Sequence, residues 1–349
     1  MKNNKLIICF IIASIGLQLT VFLFLDRKAD QLLNPSYRFD KEYSIDESLA
    51  DAEKYSLSYN NKFLACVLKN NLKIVDLTNN NVFNINNNES IFMGYKWLPD
   101  RNGLIYFTKS STNDKKVINL YSLDLETENQ IIPKLDRTVS IDLEEILEIE
   151  ISTYTNNLYI LSKTPNQETE LIKIDLMKNY VKLNKPDEPI IRISVSNKFG
   201  FLFVESLNKD KKKSITMLKS NERTLICNDP NMVLLECSDN LLYIGKLDNG
   251  YLAQVYLYML DNTINQLSAN GGYLIWQGYI PFKETTSIIC SDDNLLLKST
   301  NSLYIIQPNG KLKKLDIRNN IIPASTGLMY MELLTDEFKT TYYWRSISI

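Results

Sequence analysis

The sequence predicts an all-β fold that repeats one four-stranded sheet. Short segments rich in β-branched and aromatic residues are bounded by Asn, Asp and Gly clusters, as in β-hairpins. Residues 54–86 show one unit, with the candidate strands YSLS, FLACVLK, NLKIVDLT and NVFNIN. One such sheet cannot bury both of its faces, so neighbouring copies are expected to pack against it.

The turn into the second strand of this unit recurs along the chain. Each copy is a polar corner followed by an apolar run, whose first residues are Phe63, Leu104, Leu158, Phe201, Leu241, Leu295 and Leu328. The intervals between them are 41, 54, 43, 40, 54 and 33 residues. Three of these match the roughly 40–45 residues of a propeller blade, the two of 54 should hold insertions, and the last is short.

The last unit has at most three strands before the chain ends at Ile349. Residues 37–44, YRFDKEYS, can supply the fourth strand, and such mixing of strands from both ends of the chain would close a ring without open edges. We therefore expect a β-propeller of seven blades, with six as the alternative. It would form one domain over residues 37–349, after a linker at 26–36.

Three aspartates occupy equivalent places at the end of a third strand. Asp76, Asp124 and Asp175 each precede a Leu and a tight turn. An Asp there can accept a hydrogen bond from the backbone two residues on, which is an Asx turn. The alternative, a calcium site, would need further oxygen atoms from other strands.

These repeats resemble a known family of propellers. NNKFLACVLKNNLKIVDLTNN, WLPDRNGLIYFTKS with NLYSLDLETEN, and NNLYILSKT with ELIKIDLMKN are similar to TolB-type repeats and to those in the WD40-like propeller domain of dipeptidyl peptidase IV. The Pro of the family's corner remains only at Pro99, and Asn mostly replaces its Gly. The resemblance covers residues 55–349 and implies the fold; no chain is left for a peptidase domain, and no G-x-S-x-G occurs.

Composition limits the chemistry and the partners. The net charge is −2 and the pI about 5.6, so there is no basic field for a nucleic acid. The chain has no histidine, which excludes Ser-His-Asp and Cys-His nucleophile pairs and imidazole metal ligands. Cys66, Cys227, Cys237 and Cys290 are expected in the core, although a Cys227–Cys237 disulfide stays open. We assign no catalytic, metal or cofactor-binding residue and expect no cofactor.

The N-terminus predicts a membrane anchor. Residues 6–25, LIICFIIASIGLQLTVFLFL, are uncharged and long enough as a helix to span roughly 30 Å of hydrocarbon. A cleaved signal peptide is the alternative, but its apolar region would be shorter and an A-x-A-like site would follow. Lys and Arg are balanced on the two sides, and the very short tail, residues 1–5, favours an inside N-terminus. The propeller would then lie outside the membrane of a cell, which the Asn-, Lys- and Ile-rich composition suggests is a low-GC bacterium.

Three further segments are candidates for chemistry or binding. Residues 140–152, SIDLEEILEIEIS, concentrate carboxylates that could act as acid and base or hold a cation, but their alternation favours strands with one solvated face, interrupted by a bulge or a short helix. Residues 208–213, NKDKKK, predict an exposed basic hairpin tip that could touch an anionic polymer. Residues 271–282, GGYLIWQGYIPF, and the tryptophans Trp97, Trp276 and Trp344 could stack on a sugar or a peptide, but blade packing needs aromatic residues equally.

The function that these features favour is a non-catalytic binding or scaffold module, tethered to the membrane, for a protein, peptide or cell-envelope component. One alternative is a His-free, Ca²⁺-dependent lactonase-like or glycan-active propeller, which requires carboxylates and Asn amides that converge on one point of the central channel. Another is an accessory subunit of an envelope complex; Gly16 and Thr20 have the small-xxx-small spacing of a helix contact.

Overall fold

The structure is a computed structural model of the 349-residue chain. It describes Gln18, Ser44–Ile45, Ala52 and residues 54–85, 90–112, 115–126, 134–139, 143–175, 179–185, 187–219, 222–261, 271–291, 293–316, 321–324, 327–336 and 339–347. The strands lie in a compact unit, Asp40–Ile349. They are β1 (Ser44–Ile45), β2 (Lys54–Leu57), β3 (Phe63–Leu68), β4 (Asn71–Asp76), β5 (Asn81–Asn84), β6 (Ile91–Trp97), β7 (Gly103–Thr112), β8 (Lys115–Asp124), β9 (Lys134–Val139), β10 (Glu145–Ser152), β11 (Asn157–Lys163), β12 (Thr169–Ile174), β13 (Tyr180–Lys182), β14 (Ile190–Val195), β15 (Leu202–Leu207), β16 (Lys213–Lys219), β17 (Glu222–Cys227), β18 (Met232–Cys237), β19 (Leu241–Asp248), β20 (Tyr251–Met259), β21 (Tyr273–Pro281), β22 (Thr285–Ser291), β23 (Asn294–Ser299), β24 (Ser302–Ile306), β25 (Leu312–Asp316), β26 (Ile321–Ala324), β27 (Gly327–Asp336) and β28 (Lys339–Ile347).

Six blades are each built from four consecutive antiparallel strands. Blade 1 is β2–β5, blade 2 is β6–β9, blade 3 is β10–β13, blade 4 is β14–β17, blade 5 is β18–β21 and blade 6 is β22–β25. Successive first strands contact each other from β6 through β10, β14 and β18 to β22. The first strands therefore line the ring, and the fourth strand of each blade is its outer edge.

A further four-stranded sheet joins the two ends of the chain. Its strand order is β1-β28-β27-β26, and Ser44 pairs with Tyr343. The strand before blade 1 thus pairs with the end of the chain, as predicted, although only Ser44 of the predicted strand 37–44 lies within the described residues. For this sheet the structure describes only the backbone and no side chains. The side-chain packing that is described joins six blades.

The core lies between the blades. Each hydrophobic cluster combines buried residues of two adjacent blades, as in the group of Phe63, Ile74, Trp97 and Leu104 from blades 1 and 2. Similar clusters join blades 2 and 3, 3 and 4, 4 and 5, and 5 and 6. This is the packing that the repeated unit requires, because a sheet with two apolar faces needs a neighbour on both sides.

The predicted start of the second strand is confirmed within one residue in all six blades. The expected insertions are partly replaced by longer strands, since β7 and β8 have 10 residues each and β20 and β21 have 9. Asp76 and Asp124 form the predicted Asx turns, accepting hydrogen bonds from the backbone of Thr78 and Glu126. Asp175 accepts a hydrogen bond from the backbone of Asn179, four residues on, and the residue two positions on lies outside the described residues.

The cysteines lie where the sequence predicts them. Cys66, Cys227 and Cys237 are buried free thiols and Cys290 is a half-buried one, so no Cys227–Cys237 disulfide forms.

The predicted anchor, residues 6–25, lies outside the described residues except for Gln18. In the part of the chain that the structure describes, no helix is both long and apolar enough to cross a membrane.

Candidate functional site

A central channel of about 970 Å³ is lined by the first strands of the blades. The first strand of every blade contributes to its wall. The charged residues of the wall lie on five neighbouring first strands and in the corner after β18, and they are Lys54, Lys96, Glu145, Glu148, Glu150, Arg192, Glu236 and Asp239. The wall at β22 is uncharged, with Ser287, Ile288 and Ile289.

The alternation of β10 explains how carboxylates come to line the channel. Glu148 and Glu150 are two residues apart, so their side chains leave the same side of the strand, while Ile149 between them is buried in the core. The pairing of β10 with β11 shifts between Ile146 and Glu148, which is the predicted bulge. β6, β14 and β22 have a similar shift near their start.

One ion pair joins blades 2 and 3 across the channel wall. The Lys96 ammonium donates a hydrogen bond to the Glu150 carboxylate at 2.6 Å. Burial opposes the charge of Lys96, but the Glu150 carboxylate outweighs it and raises the Lys96 pKa. Burial also raises the pKa of Glu150, with Lys96 acting against the shift and Glu236 adding to it.

A second group joins blades 3, 4 and 5. The Arg192 guanidinium lies between two carboxylates, 4.0 Å from Glu148 and 3.9 Å from Glu236. Glu148 also accepts a hydrogen bond from the backbone N–H of Ile193 at 2.8 Å, and Glu236 accepts one from the Ser194 hydroxyl at 2.5 Å. Burial raises the pKa of Glu148 to about 7, although Arg192 opposes this.

The prediction of a solvated face for residues 140–152 is therefore wrong for Glu148 and Glu150. Alternation indicates which residues share a face, but it does not indicate whether that face meets bulk water or a channel wall. Within the described ranges, no three Asp, Glu or Cys side chains are grouped so that they could hold a metal ion. The channel carboxylates are instead engaged by cations, backbone N–H groups and a hydroxyl.

Sequence reasoning missed the cations Lys54, Lys96 and Arg192 and the carboxylate Glu236. A usable signal was present, because Lys96, Glu150 and Glu236 each directly precede the residue that pairs with the second residue of the second strand. Alignment of the units on their corners would have placed these three residues at one level of the ring.

The corners form hydrogen bonds from one blade to the next near one end of the channel. Ser152 donates to the backbone carbonyl of Asn197 at 2.8 Å, and Ser196 donates in the same way to Asp239 at 2.8 Å. Ser238 donates to the side chain of Asp293 at 3.0 Å. The polar residues that mark each corner in the sequence thus hold adjacent blades in register.

The basic segment 208–213 is the exposed tip of the β15–β16 hairpin, as predicted. Asn208 closes this turn by accepting hydrogen bonds from the backbone of Asp210 and Lys212. Lys213 pairs with Glu205 at 3.0 Å. The segment does not belong to the channel wall.

Two of the three predicted tryptophans can be placed, and both are core residues. Trp97 is buried between blades 1 and 2, where its indole N–H donates to the carbonyl of Ser56 at 3.2 Å. Trp276 is buried between blades 5 and 6. Trp344 lies in β28, where the structure describes only the backbone. The segment around Trp276 nevertheless exposes other aromatic residues.

Exposed apolar side chains concentrate on β20 and β21, at the outer edge of blade 5. Tyr273 is 69% exposed and Tyr279 75% exposed, and Leu274, Tyr251 and Met259 add to them. Tyr251 and Tyr279 form an edge-to-face pair with ring centroids 6.3 Å apart. We call these five residues the blade 5 edge. Gly271 and Gly272 precede β21 and are followed by no helix, so they form no phosphate-binding turn.

Comparison with known proteins adds the class of fold. No protein family model matches the chain, and no curated protein matches it either. Similar solved structures include a chain of the mitotic checkpoint complex, with 13% identity, a TM-score of 0.56, and 88% of this chain and 94% of that chain covered. The β-propeller domain of the trilobed protease from Pyrococcus furiosus has 12% identity, a TM-score of 0.53 and coverages of 86% and 93%. An uncharacterized protein from Listeria monocytogenes EGD-e has 12% identity, a TM-score of 0.55 and coverages of 83% and 92%.

Strand order, packing between blades and these likenesses define the protein as an all-β β-propeller of the WD40-like type. At such low identity the likenesses carry the fold alone. The fold is compatible with a protein-binding scaffold.

Proposed function

We propose that this protein is a membrane-tethered, non-catalytic binding module that holds a partner protein on the blade 5 edge. The observation that carries the proposal is an outer strand that is long, exposed and uncharged. Natural proteins protect the edges of their sheets with charges or short strands, and β21 has neither, so its exposed side chains indicate a binding surface.

The other outer strands provide the comparison. β21, YLIWQGYIP, has 9 residues and no charge. β9, β13, β17 and β25 have 3 to 6 residues and carry Lys, Arg, Asp or Glu. β5, NVFN, is uncharged but has only 4 residues, two of them Asn. Among the six blades, blade 5 alone thus has an outer strand that is both long and apolar.

The area of the edge indicates what kind of partner fits. With about 200 Å² for each large side chain, the five exposed residues present roughly 500–600 Å². A stable dimer buries about 800 Å² on each partner, so pairing with a second copy through this edge alone would be insufficient. The area suits an extended, uncharged segment of a partner protein.

The neighbouring blade determines how that segment would bind. Gly310, in the β24–β25 turn of blade 6, lies so close to the backbone of β21 that a Cβ atom there would be 2.0 Å from the carbonyl oxygen of Ile275. This contact interrupts the edge in its middle, so the partner would bind through side chains rather than by adding a strand. Leu274 and Tyr279 are five residues apart, about 17 Å, which five or six extended residues can span.

Photo-crosslinking in intact cells tests the proposal. A p-benzoylphenylalanine residue is placed at Tyr273 or Tyr279 of the full chain, and the crosslinked peptide is mapped by mass spectrometry. Tyr154, which is 76% exposed on the β10–β11 corner, is the matched control position. We expect one partner at both edge positions, joined through a segment without charged residues, and no adduct with it at Tyr154.

Three results would overturn the proposal. These are the absence of adducts at both edge positions, the same adducts at Tyr154, and adducts to a second copy of the chain or to lipid. As a second measurement, Leu274→Ser combined with Tyr279→Ser should remove the adduct at Tyr273 and leave the melting temperature within about 3 °C, because exposed substitutions change stability little.

The membrane tether is the second part of the proposal. Its support is the uncharged run at residues 6–25, and with an inside N-terminus the propeller is extracytoplasmic. Alkaline extraction of membranes and protease treatment of intact cells test it. We expect the full chain to stay in the membrane fraction and the propeller to be digested from outside. Release at high pH would contradict the tether, and protection from protease would contradict its orientation.

We also propose that the sheet of β1 and β26–β28 forms a seventh blade that closes the ring, as the seven recurring corners predict. Its support is the pairing of Ser44 with Tyr343 and the contacts of β26 with β2 and β22. Ser44→Cys with Tyr343→Cys should form a disulfide under mild oxidation, whereas Ser44→Cys with Thr335→Cys should not. Equal crosslinking of the two pairs would contradict this closure.

A further inference from the structure

The charged groups of the central channel are separated in position. Three cations, Lys54, Lys96 and Arg192, share the wall with the carboxylates Glu148, Glu150 and Glu236. Two further carboxylates line the cavity: Glu145, which is paired with Lys163, and Asp239 in the corner after β18. The order of the charges around the ring is uneven. The two cations of blades 1 and 2 lie on the side of one carboxylate of blade 3, Glu150, and the single cation of blade 4 lies between carboxylates of blades 3 and 5.

The positive pole consists of Lys54 and Lys96 with Glu150. Lys96 is paired with Glu150 at 2.6 Å. The Lys54 ammonium lies 5.4 Å from the centroid of the Tyr95 ring and has no carboxylate within ion-pair distance among the described residues. Burial and the repulsion of Lys96 lower the Lys54 pKa. An added anionic group would therefore be attracted to this place.

The negative pole consists of Glu148 and Glu236 with Arg192. Arg192 is 3.9–4.0 Å from both carboxylates, beyond hydrogen-bond distance, and its buried Nε–H has no hydrogen-bond partner. One guanidinium thus compensates two carboxylates incompletely. Besides Arg192, the charged groups that act on Glu148 are Glu150 on its own strand, Glu236 on β18 and Lys96 on β6. An added cationic group would be attracted here.

The remaining wall and the size of the channel complete the site. The wall at β22 offers Ile289, an apolar side chain beside the two poles, whereas Ile288 is buried in the core between blades 5 and 6. A cavity of about 970 Å³ is at the upper end of the range for small-molecule sites and has room for a short peptide.

We infer that the central channel is a binding site for a short peptide with free termini, whose carboxylate lies at Lys54 and Lys96 and whose ammonium lies between Glu148 and Glu236. This site is separate from the blade 5 edge, and it can exist whether or not a partner protein binds there. The two charged ends determine the orientation of the peptide, and its side chains contact the β22 wall.

Titration calorimetry of the full chain with trialanine tests the inference. N-acetyl-trialanine and trialanine amide each lack one terminal charge and serve as matched ligands. We expect each to bind at least tenfold more weakly than trialanine. Because an ammonium beside Glu148 favours its carboxylate form, binding near pH 7 should also release a proton, which is measured by repeating the titration in buffers of different ionisation enthalpy.

A substitution locates the site in the channel. Lys54→Gln removes one cation of the positive pole at a side chain that is open to solvent, so the fold should be retained. The substitution should weaken the binding of trialanine at least fivefold and that of N-acetyl-trialanine by a similar factor. The binding of trialanine amide, which lacks the carboxylate, should change little. Lys182→Gln, on the outer strand β13, is the control and should change none of the three.

The inference is overturned if trialanine gives no binding heat at millimolar concentration or if the blocked peptides bind as tightly as the free one. It is also overturned if Lys54→Gln and Lys182→Gln have equal effects. None of these results bears on the crosslinking test of the blade 5 edge, so the two proposals can fail separately.

Discussion

The side-chain carbonyl of Asn197, in blade 4, accepts two hydrogen bonds from Thr153, in blade 3. The backbone N–H of Thr153 is 2.8 Å away and its hydroxyl 3.0 Å away. A similar bond joins Asn60 of blade 1 to Asn102 of blade 2 at 3.2 Å, and Lys198 of blade 4 to Asp239 of blade 5 at 3.1 Å. The corners therefore connect neighbouring blades in addition to connecting two strands of one blade.

Asn197→Ala should lower the free energy of unfolding by about 1–2 kcal/mol, because it leaves the part-buried donors of Thr153 without their acceptor. Urea unfolding measures the change. Asn166→Ala, in the exposed β11–β12 turn, is the control and should stay within about 0.5 kcal/mol of the parent. Equal effects of the two substitutions would show that the corner bonds contribute nothing.

Gly310→Ala should destabilise the protein more than Gly250→Ala. Both residues have a left-handed backbone, with φ of 83° and 87°, so the conformational cost of about 1 kcal/mol is shared. At Gly250 the nearest atom is the flexible end of Lys283, 3.0 Å from an added Cβ, whereas at Gly310 it is the backbone oxygen of Ile275. We expect Gly310→Ala to lower the free energy of unfolding by more than about 2 kcal/mol in total, measured by thermal unfolding. Similar values at both positions would contradict the close contact of blades 5 and 6.

The stability of the propeller should depend on pH through Glu148. Folding raises the pKa of Glu148 from 4.5 to about 7, so the folded state holds this proton more tightly than the unfolded chain. The contribution of this proton to the free energy of unfolding is complete below pH 4.5 and is lost as the pH rises towards 7. Over that range the free energy of unfolding falls by at most about 1.4 kcal/mol per pH unit. Burial raises the Glu150 pKa as well, so that carboxyl contributes with the same sign.

Glu148→Gln should therefore reduce the decline of the free energy of unfolding between pH 4.5 and 7. Glu145→Gln, at the start of the same strand and paired with Lys163 at 3.4 Å, is the control and should keep the parental pH profile. Urea unfolding at a series of pH values measures both. An unchanged profile for Glu148→Gln would mean that this carboxyl does not take up the proton.

The Lys96–Glu150 pair should appear as a coupling in a double-mutant cycle. Lys96→Met alone leaves the Glu150 carboxylate in the channel wall without its cation and should cost about 2 kcal/mol, less than a fully buried pair because Lys96 is open to the channel. Lys96→Met with Glu150→Leu removes both charges and should recover at least half of that loss. Additive effects of the two substitutions would exclude a direct interaction.

Much of the fold follows from local signals, as the first blade shows. The corner before Phe63 and the Asp that ends β4 form turns, and such turns depend on residues that are close in sequence. The channel depends on residues such as Glu150 and Lys96, 54 residues apart. Their juxtaposition is set by the angle between blades, which no local pattern contains, although a comparison of equivalent positions in successive units would have aligned them.

The edge of blade 5 illustrates a different limit. The segment 271–282 is rich in aromatic residues. The prediction that part of it is core is confirmed for Trp276. Which of its residues are exposed depends on the pairing of β21 with β20, where the register shifts twice. Two shifts within one pair change which side chains point outward, so alternation in the sequence could not assign them.

The direction of the corner bonds bears on how the chain is made. In the bonds from blade 1 to blade 2, from blade 3 to blade 4 and from blade 4 to blade 5, the acceptor comes 42, 44 and 41 residues after the donor. During synthesis on a ribosome, each corner would stay open until about forty further residues have emerged. We thus expect a nascent propeller to gain resistance to protease blade by blade, with the most recently made blade always the most vulnerable.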